Sequence, residues 1–218
     1  MKSELVNAFL DGLQLSKGEQ LRPLIIDSKT MLRNYLSMAG ARYWEWRDNP
    51  KAKNIDDLMN EIEYGETTFA YNLEGVLYRK VSKAVIDVIR RNDDGVQERL
   101  YEEIFDGTDW VRRNEEPSDT PGLKEKGKLG EEPIQTAIRG IGEEMKIKEL
   151  SENDLEGLIH LPDNENSQQT EESDGYPGLK TKYNFDFFIF ELPEGRYQLV
   201  YEFEEGKRRM RLKWEEIV

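Results

Sequence analysis

Hydrophobic positions in the first 65 residues recur every three to four residues, which is typical of helices. Ser28 is suited to cap a helix over about residues 29–47, and Asn54 a shorter helix that ends at Gly65. Residues 1–65 are therefore predicted to form a helical N-terminal segment.

From about residue 66 the pattern changes to short segments rich in β-branched and aromatic residues, separated by turn signals. The predicted strands are Phe69–Tyr71, Val76–Arg90, Glu98–Phe105, Trp110–Arg113, Tyr183–Glu191, Tyr197–Glu204 and Lys207–Trp214. Residues 151–175 hold eight acidic residues and no basic one. We interpret this stretch as a solvated acidic loop that is dispensable for folding.

One strong helix is predicted between the two groups of strands, within residues 129–147. Pro133 suits its first turn. Its apolar residues form one stripe, which we expect to be buried against a sheet: Ile134, Ala137, Ile138, Ile141 and Met145. Glu143 points away from this stripe, Glu144 lies on its flank, and Arg139 is one turn before Glu143, where the two can pair.

Composition narrows the classes of function. The chain has 218 residues, a net charge of −14 and 37% hydrophobic residues, enough for a folded core. The negative charge argues against a nucleic-acid partner. No cysteine is present and His160 is the one histidine, so thiol chemistry and a two-histidine metal site are excluded. No apolar run reaches the roughly 20 residues that span a bilayer, and we expect a cytoplasmic protein without membrane contact.

Residues 125–147 resemble the box of the Nudix hydrolase family. That box reads Gly, five residues, Glu, seven residues, Arg-Glu-hydrophobic, one residue, Glu-Glu, one residue, Gly-hydrophobic. The matching positions here are Glu131, Arg139, Ile141, Glu143, Glu144 and Ile147. The resemblance covers residues 66–218 and implies an α/β fold, a Nudix-like α/β/α sandwich with a mixed sheet. Residues 1–65 form a helical extension outside it.

Three positions depart from the box. Glu125 stands at the opening glycine, although Gly127 is close enough for a shifted loop. Lys146 stands at the late glycine, and Gly140 at the glutamate after the arginine. In the family that glutamate usually ligates the metal and often acts as the base. A helical wheel puts position 140 between Glu143 and Glu144, so glycine removes an oxygen ligand from the centre of the expected metal face. A neighbouring acid such as Glu132, or an acid from a loop, has to compensate if the chain is an enzyme.

The resemblance leaves two functions open. In the first, a divergent Nudix hydrolase holds Mg²⁺ or Mn²⁺ through Glu143 and Glu144, while Glu131 and Arg139 brace the loop and helix. These four residues are its candidate catalytic residues, and the substrate is a nucleoside diphosphate linked to another moiety. Retention of all four at the family's spacing favours this function.

In the second, the chain is a catalytically impaired Nudix-fold module that binds a nucleotide-like small molecule or a protein partner. Its N-terminal helices then offer an interface for that partner or for a second copy of the chain. Gly140 favours this alternative.

Overall fold

The structure is a computed structural model that describes residues 21–49, 52–112, 122–147, 150, 152–161, 168–173, 175–192, 200–205 and 208–217. The helices are α1 (Lys29–Met38), a 3-10 helix (Tyr43–Asp48), α2 (Ile55–Glu63), α3 (Pro133–Glu144) and α4 (Glu152–Leu155). The strands are β1 (Arg22–Leu24), β2 (Thr68–Tyr71), β3 (Leu77–Arg91), β4 (Gln97–Phe105), β5 (Trp110–Arg112), β6 (Leu123–Lys126), β7 (Leu158–Leu161), β8 (Gln168–Glu172), β9 (Lys180–Glu191), β10 (Val200–Glu205) and β11 (Arg208–Glu216). The predicted α/β class is confirmed.

The chain divides into two compact units. The first comprises Met1–Lys83, Lys126–Glu132 and Glu165–Phe185, and the second comprises Ala84–Glu125, Pro133–Asn164 and Asp186–Val218. The long strands β3 and β9 each contribute residues to both units. The predicted domain boundary between residues 65 and 66 stays a prediction.

In the first unit, the predicted helix over residues 29–47 is shorter than expected. The Ser28 hydroxyl accepts a hydrogen bond from the Met31 N–H at 3.3 Å and caps α1 as predicted. Gly40 then adopts a φ of +76°, which ends the helix, and a separate 3-10 helix follows. A left-handed residue breaks the helical hydrogen-bond ladder, and glycine adopts that conformation without steric cost.

The second predicted helix of this unit is confirmed. The Asn54 side chain accepts hydrogen bonds from the N–H groups of Asp56 and Asp57, and the Asp57 carboxylate accepts one from the Asn54 N–H in return. This reciprocal capping box fixes the start of α2, and Gly65 follows its end with a φ of +75°. The buried core of the unit contains Ile26, Leu32, Leu36, Ala41, Trp46, Leu58, Met59, Phe69, Leu77, Tyr176 and Leu179.

In the second unit, β4 pairs with β3, β5 and β11, and β11 pairs with β10, all antiparallel. The predicted start of β10 at Tyr197 lies outside the described residues. Helix α3 buries Ala137 and Ile141, followed by buried Met145, whereas Ile138 is half-buried. Ile134 was expected in the same buried stripe but is 44% exposed. Ile134 is the second residue of α3, and the buried part of the apolar stripe begins one turn later, at Ala137.

The interpretation of residues 151–175 as a loop is wrong. Helix α4 and strands β7 and β8 lie within this stretch, and both strands pair antiparallel with β9. All five residues of β8 are exposed. Main-chain hydrogen bonds hold such a strand, so its side chains do not need the hydrophobic pattern by which strands are recognised.

The direction of β9 relative to β3 makes the sheet mixed, as predicted. The Lys182 ammonium lies over the Tyr78 ring, and ten residues later the Leu192 N–H donates to the Ile89 carbonyl at 2.8 Å. Residue numbers therefore increase in the same direction along both strands, which makes them parallel, whereas the other registered pairs are antiparallel.

Candidate functional site

The turn before α3 holds Glu131 through local hydrogen bonds. Gly130 has a φ of +82°. The Glu131 carboxylate accepts a hydrogen bond from the Lys128 N–H at 2.9 Å, and the Glu131 N–H donates to the Lys128 carbonyl at 2.9 Å. Glu131 therefore closes its own turn, which lies in the first unit, whereas α3 lies in the second.

Arg139, in the middle of α3, forms its closest described ion pair with a residue that the box does not predict. Its Nη1 lies 2.5 Å from Glu125 Oε1 on β6, and both side chains are more than four-fifths buried. The predicted partner, Glu143, is 3.8 Å from the same Nη1 and its side chain is 59% exposed. The guanidinium therefore lies within ion-pair distance of two carboxylates and is held mainly by Glu125.

Gly140 is buried and packs directly against Glu125. A Cβ atom at position 140 would lie 2.7 Å from Glu125 Cβ, 3.2 Å from Glu125 Cγ and 3.3 Å from Ile86 Cδ1. The expectation that position 140 lies at the centre of an open metal face is therefore wrong. The space that a side chain would need there is filled by Glu125.

Two departures from the box thus meet in one contact. The opening position carries glutamate instead of glycine, the later position carries glycine instead of glutamate, and the two residues touch. Sequence reasoning treated them as separate defects, because positions 125 and 140 become neighbours only when β6 packs beside α3. One signal in the sequence could have indicated the contact. Position 125 has glutamate where the box has glycine, and position 140 has glycine where the box has glutamate.

The third departure, Lys146, adopts a backbone conformation that is typical of glycine. Lys146 has a φ of +55° and is the one non-glycine residue with a positive φ in the described part of the chain. This left-handed residue follows the end of α3 and directs the chain to Ile147, which packs against the core of the second unit.

The role of Glu143 and Glu144 as metal ligands stays a prediction, and two features of α3 limit the oxygen atoms available beside them. Gly140 contributes no oxygen, and the Glu125 carboxylate is neutralised by Arg139. Arg139 lies within ion-pair distance of both Glu125 and Glu143. Over the described ranges, no three acidic, histidine or cysteine side chains are grouped in a way that could hold a metal ion. Glu144 is the last residue of α3 and is half-buried.

Sequence reasoning missed an ionic cluster in the first unit that is centred on Glu61. This buried carboxylate lies 2.6 Å from Arg79, 2.6 Å from Lys126 and 3.0 Å from Lys53. Burial raises the pKa of Glu61, but the three cations outweigh it and lower the pKa to about 2. A cleft of about 300 Å³ opens beside the cluster, lined by Lys53, Asp57, Asn60, Glu61, Tyr64, Glu66 and Lys126. Because the cations face carboxylates of the protein itself, the cluster is a structural support.

His160, the one histidine, lies at the surface of the second unit. Its Nε2 is 3.5 Å from Asp186 Oδ1, and its ring stacks on Phe188 with 4.7 Å between the ring centres. Burial raises the pKa of Asp186, and the neighbouring His160 counteracts that shift. The pair crosses from β7 to β9 and joins the edge strand to its neighbour.

No known protein family and no curated protein matches this chain. Among solved structures, it is similar to an Ap4A hydrolase of C. elegans with 20% identity and a TM-score of 0.32, over 62% of this chain and 80% of that one. It is also similar to the T. brucei MERS1 protein in its apo form, with 13% identity and a TM-score of 0.31, over 82% of this chain and 79% of that one. TM-scores this low carry no information about function.

No helix among the described residues is long and apolar enough to cross a membrane.

Proposed function

We propose that this chain is a Nudix-like module that binds a nucleotide-like ligand and does not use a divalent metal to hydrolyse it. The observation that carries the proposal is the contact among Glu125, Arg139 and Gly140. The family's catalytic glutamate is absent at position 140, and the acid that fills its space is held by an arginine.

The chemistry of diphosphate cleavage explains why this contact matters. Hydrolysis requires an activated water and a positive charge on the phosphate oxygens, and in metal-dependent enzymes the cation supplies both. A carboxylate that is buried in an ion pair has a stabilised charge and is a weak proton acceptor. Glu125 therefore fills the space that a glutamate at position 140 would need, and its carboxylate is paired with Arg139.

The decisive experiment measures binding and cleavage separately. We expect ADP-ribose to bind the full chain equally well in Mg²⁺, in Mn²⁺ and in EDTA by isothermal titration calorimetry, with no product detected by chromatography after prolonged incubation. The control is the Glu143→Gln/Glu144→Gln double variant, which should bind the same ligand with unchanged affinity.

Metal-dependent cleavage by the wild type that disappears in Glu143→Gln/Glu144→Gln would overturn the proposal and establish the divergent hydrolase. Failure to bind any nucleoside-diphosphate derivative would also overturn the proposal. Binding of a protein partner would then be the alternative to test.

A second experiment reverses the exchange. The Glu125→Gly/Gly140→Glu variant restores both family residues, and the glycine at 125 leaves room for the new side chain. We expect this double variant to bind Mn²⁺ more tightly than the wild type, because Arg139 loses its buried partner and α3 gains a carboxylate. Equal Mn²⁺ affinity in the two proteins would mean that this contact does not govern metal binding.

A further inference from the structure

We propose that the cleft beside Glu61 in the first unit binds the base of the nucleotide-like ligand, an adenine ring held by the Asn60 amide and the Tyr64 ring. This inference rests on the proposed function, since it assigns a place to one part of that ligand. The volume of the cleft, about 300 Å³, lies at the lower end of the range for ligand pockets. The cleft is therefore suited to one part of a nucleotide.

Helix α2 brings Asn60 and Tyr64 together on one side. The two residues are four positions apart, and the Tyr64 N–H donates to the Asn60 carbonyl at 2.8 Å. Side chains at this spacing lie one above the other on the same face of a helix, and both residues line the cleft. The capping box fixes the start of α2, and Leu58 is buried in the core on its other side. The pair is therefore carried by a well-anchored element.

The side chains of Asn60 and Tyr64 are both available to a ligand. The Tyr64 side chain is 69% exposed and Asn60 is exposed. Among the described residues, neither side chain has a hydrogen-bond, ion-pair or ring partner. An amide offers a donor and an acceptor side by side, which match N7 and the N6 amino group of adenine. An exposed tyrosine ring offers a surface on which a base can stack.

The charges of the cleft favour a base over a phosphate. The Glu61 carboxylate lies 3.0 Å from the Lys53 ammonium and 2.6 Å from the Lys126 ammonium, and Arg79 contacts it as a third cation. Lys126 also lies 3.3 Å from Glu66. A phosphate would have to compete with these carboxylates for the same cations, and its negative charge would be repelled by them. The cleft is therefore suited to an uncharged, polar ring.

Titration calorimetry of the full chain in EDTA with adenosine and with purine riboside tests the assignment. Purine riboside has the same ring and sugar but lacks the amino group at N6. We expect the wild type to bind adenosine about fivefold more tightly than purine riboside, because one hydrogen bond to the Asn60 side chain is lost. The Asn60→Ala variant should bind the two probes equally well, since it lacks the group that distinguishes them.

A second variant tests the stacking surface. We expect Tyr64→Ala to bind both probes about tenfold more weakly than the wild type, because the base loses its aromatic partner. The matched control is Trp44→Ala. Trp44 is also an exposed aromatic residue of the first unit, with 56% of its surface exposed, but it does not line the cleft. Trp44→Ala should bind both probes as the wild type does.

The outcomes separate this inference from the proposed function, which is tested by binding of ADP-ribose. If ADP-ribose binds the wild type but adenosine does not, or if Asn60→Ala still prefers adenosine as strongly as the wild type does, the assignment of the base fails although the chain binds nucleotides. If Trp44→Ala weakens binding as much as Tyr64→Ala does, the cleft is not the site. If neither ADP-ribose nor adenosine binds the wild type, the proposed function fails as well. Thermal unfolding of each variant shows whether it is folded.

Discussion

Replacing Gly140 by alanine places a Cβ atom 2.7 Å from Glu125 Cβ, well inside the 3.5–4.0 Å at which carbon atoms pack best. Alanine gains about 1 kcal/mol over glycine inside a helix, but overpacking costs about 1–3 kcal/mol. We expect Gly140→Ala to lower the free energy of unfolding, measured by urea denaturation, by about 1 kcal/mol.

Gly142→Ala is the matched control, because it lies in the same helix and gains the same helical propensity. Its Cβ would meet the Ile147 carbonyl oxygen at 3.3 Å, a milder contact. Gly140→Ala should therefore be the less stable of the two proteins. If it is the more stable one, Glu125 moves aside freely and does not fill a fixed space.

We expect the ionised Glu61 carboxylate to contribute to the free energy of unfolding, and we expect acid to remove this contribution. Its pKa falls from 4.5 in the unfolded chain to about 2 in the folded one, so the folded state favours the ionised form. The resulting stabilisation, about 3 kcal/mol, is complete above pH 4.5 and is lost as the pH falls towards 2. Glu61→Gln should remove this dependence and destabilise the protein at neutral pH, because Arg79 stays buried without its carboxylate.

The measurement is the free energy of unfolding between pH 6 and pH 2.5 for the wild type, Glu61→Gln and Glu63→Gln. Glu63 is exposed on the same helix, so its variant should follow the wild-type profile. Parallel profiles for the wild type and Glu61→Gln would contradict the ionic cluster.

Among the elements, β7 gives the sharpest test of the folded state of residues 151–175. Leu158 is buried in the core of the second unit, whereas its neighbour Ile159 is 55% exposed. We expect Leu158→Ala to cost about 2 kcal/mol or more and Ile159→Ala less than about 1 kcal/mol, as measured by chemical denaturation. Equal small losses would restore the interpretation of this stretch as a dispensable loop.

Elements with strong local signals could be predicted from the sequence. Asn54 with Asp57 is a complete capping box, and the β-branched and aromatic runs gave β3, β4 and β11 within one or two residues at each end. Gly40 indicated the end of α1, but apolar residues continue at helical spacing on both sides of it, so the helix was predicted to extend to residue 47. Strand β8 carried no signal, because its exposed side chains leave no apolar pattern.

Only those features of the candidate site that depend on the residue order within α3 could be predicted. The order of residues along α3 fixed which side chains share a face, and the pairing of Arg139 with Glu143 follows from that order. The closer pairing with Glu125 depends on how β6 packs beside the helix. No local rule connects Arg139 with Glu125, because the two residues are fourteen positions apart and lie in different elements.

At the scale of the whole molecule, the net charge of −14 predicts a dependence of stability on salt. Like charges repel most strongly in the compact state, and salt screens exposed charges more than buried ion pairs. We expect the melting temperature to rise when NaCl increases from about 20 mM to about 200 mM. The Debye length then falls below about 10 Å, so repulsion between surface charges that are further apart is screened. A fall in melting temperature would mean that exposed ion pairs outweigh the overall repulsion.

The contact between Gly140 and Glu125 also constrains the order in which such a site can change. Starting from a chain with glycine at 125 and glutamate at 140, two single steps are open. Adding glutamate at 125 first would force two side chains into a space that holds one. Removing glutamate from 140 first leaves a gap, which the second step fills. The route through two glycines therefore avoids the clash, and along it the carboxylate at position 140 is lost before the acid at position 125 is gained.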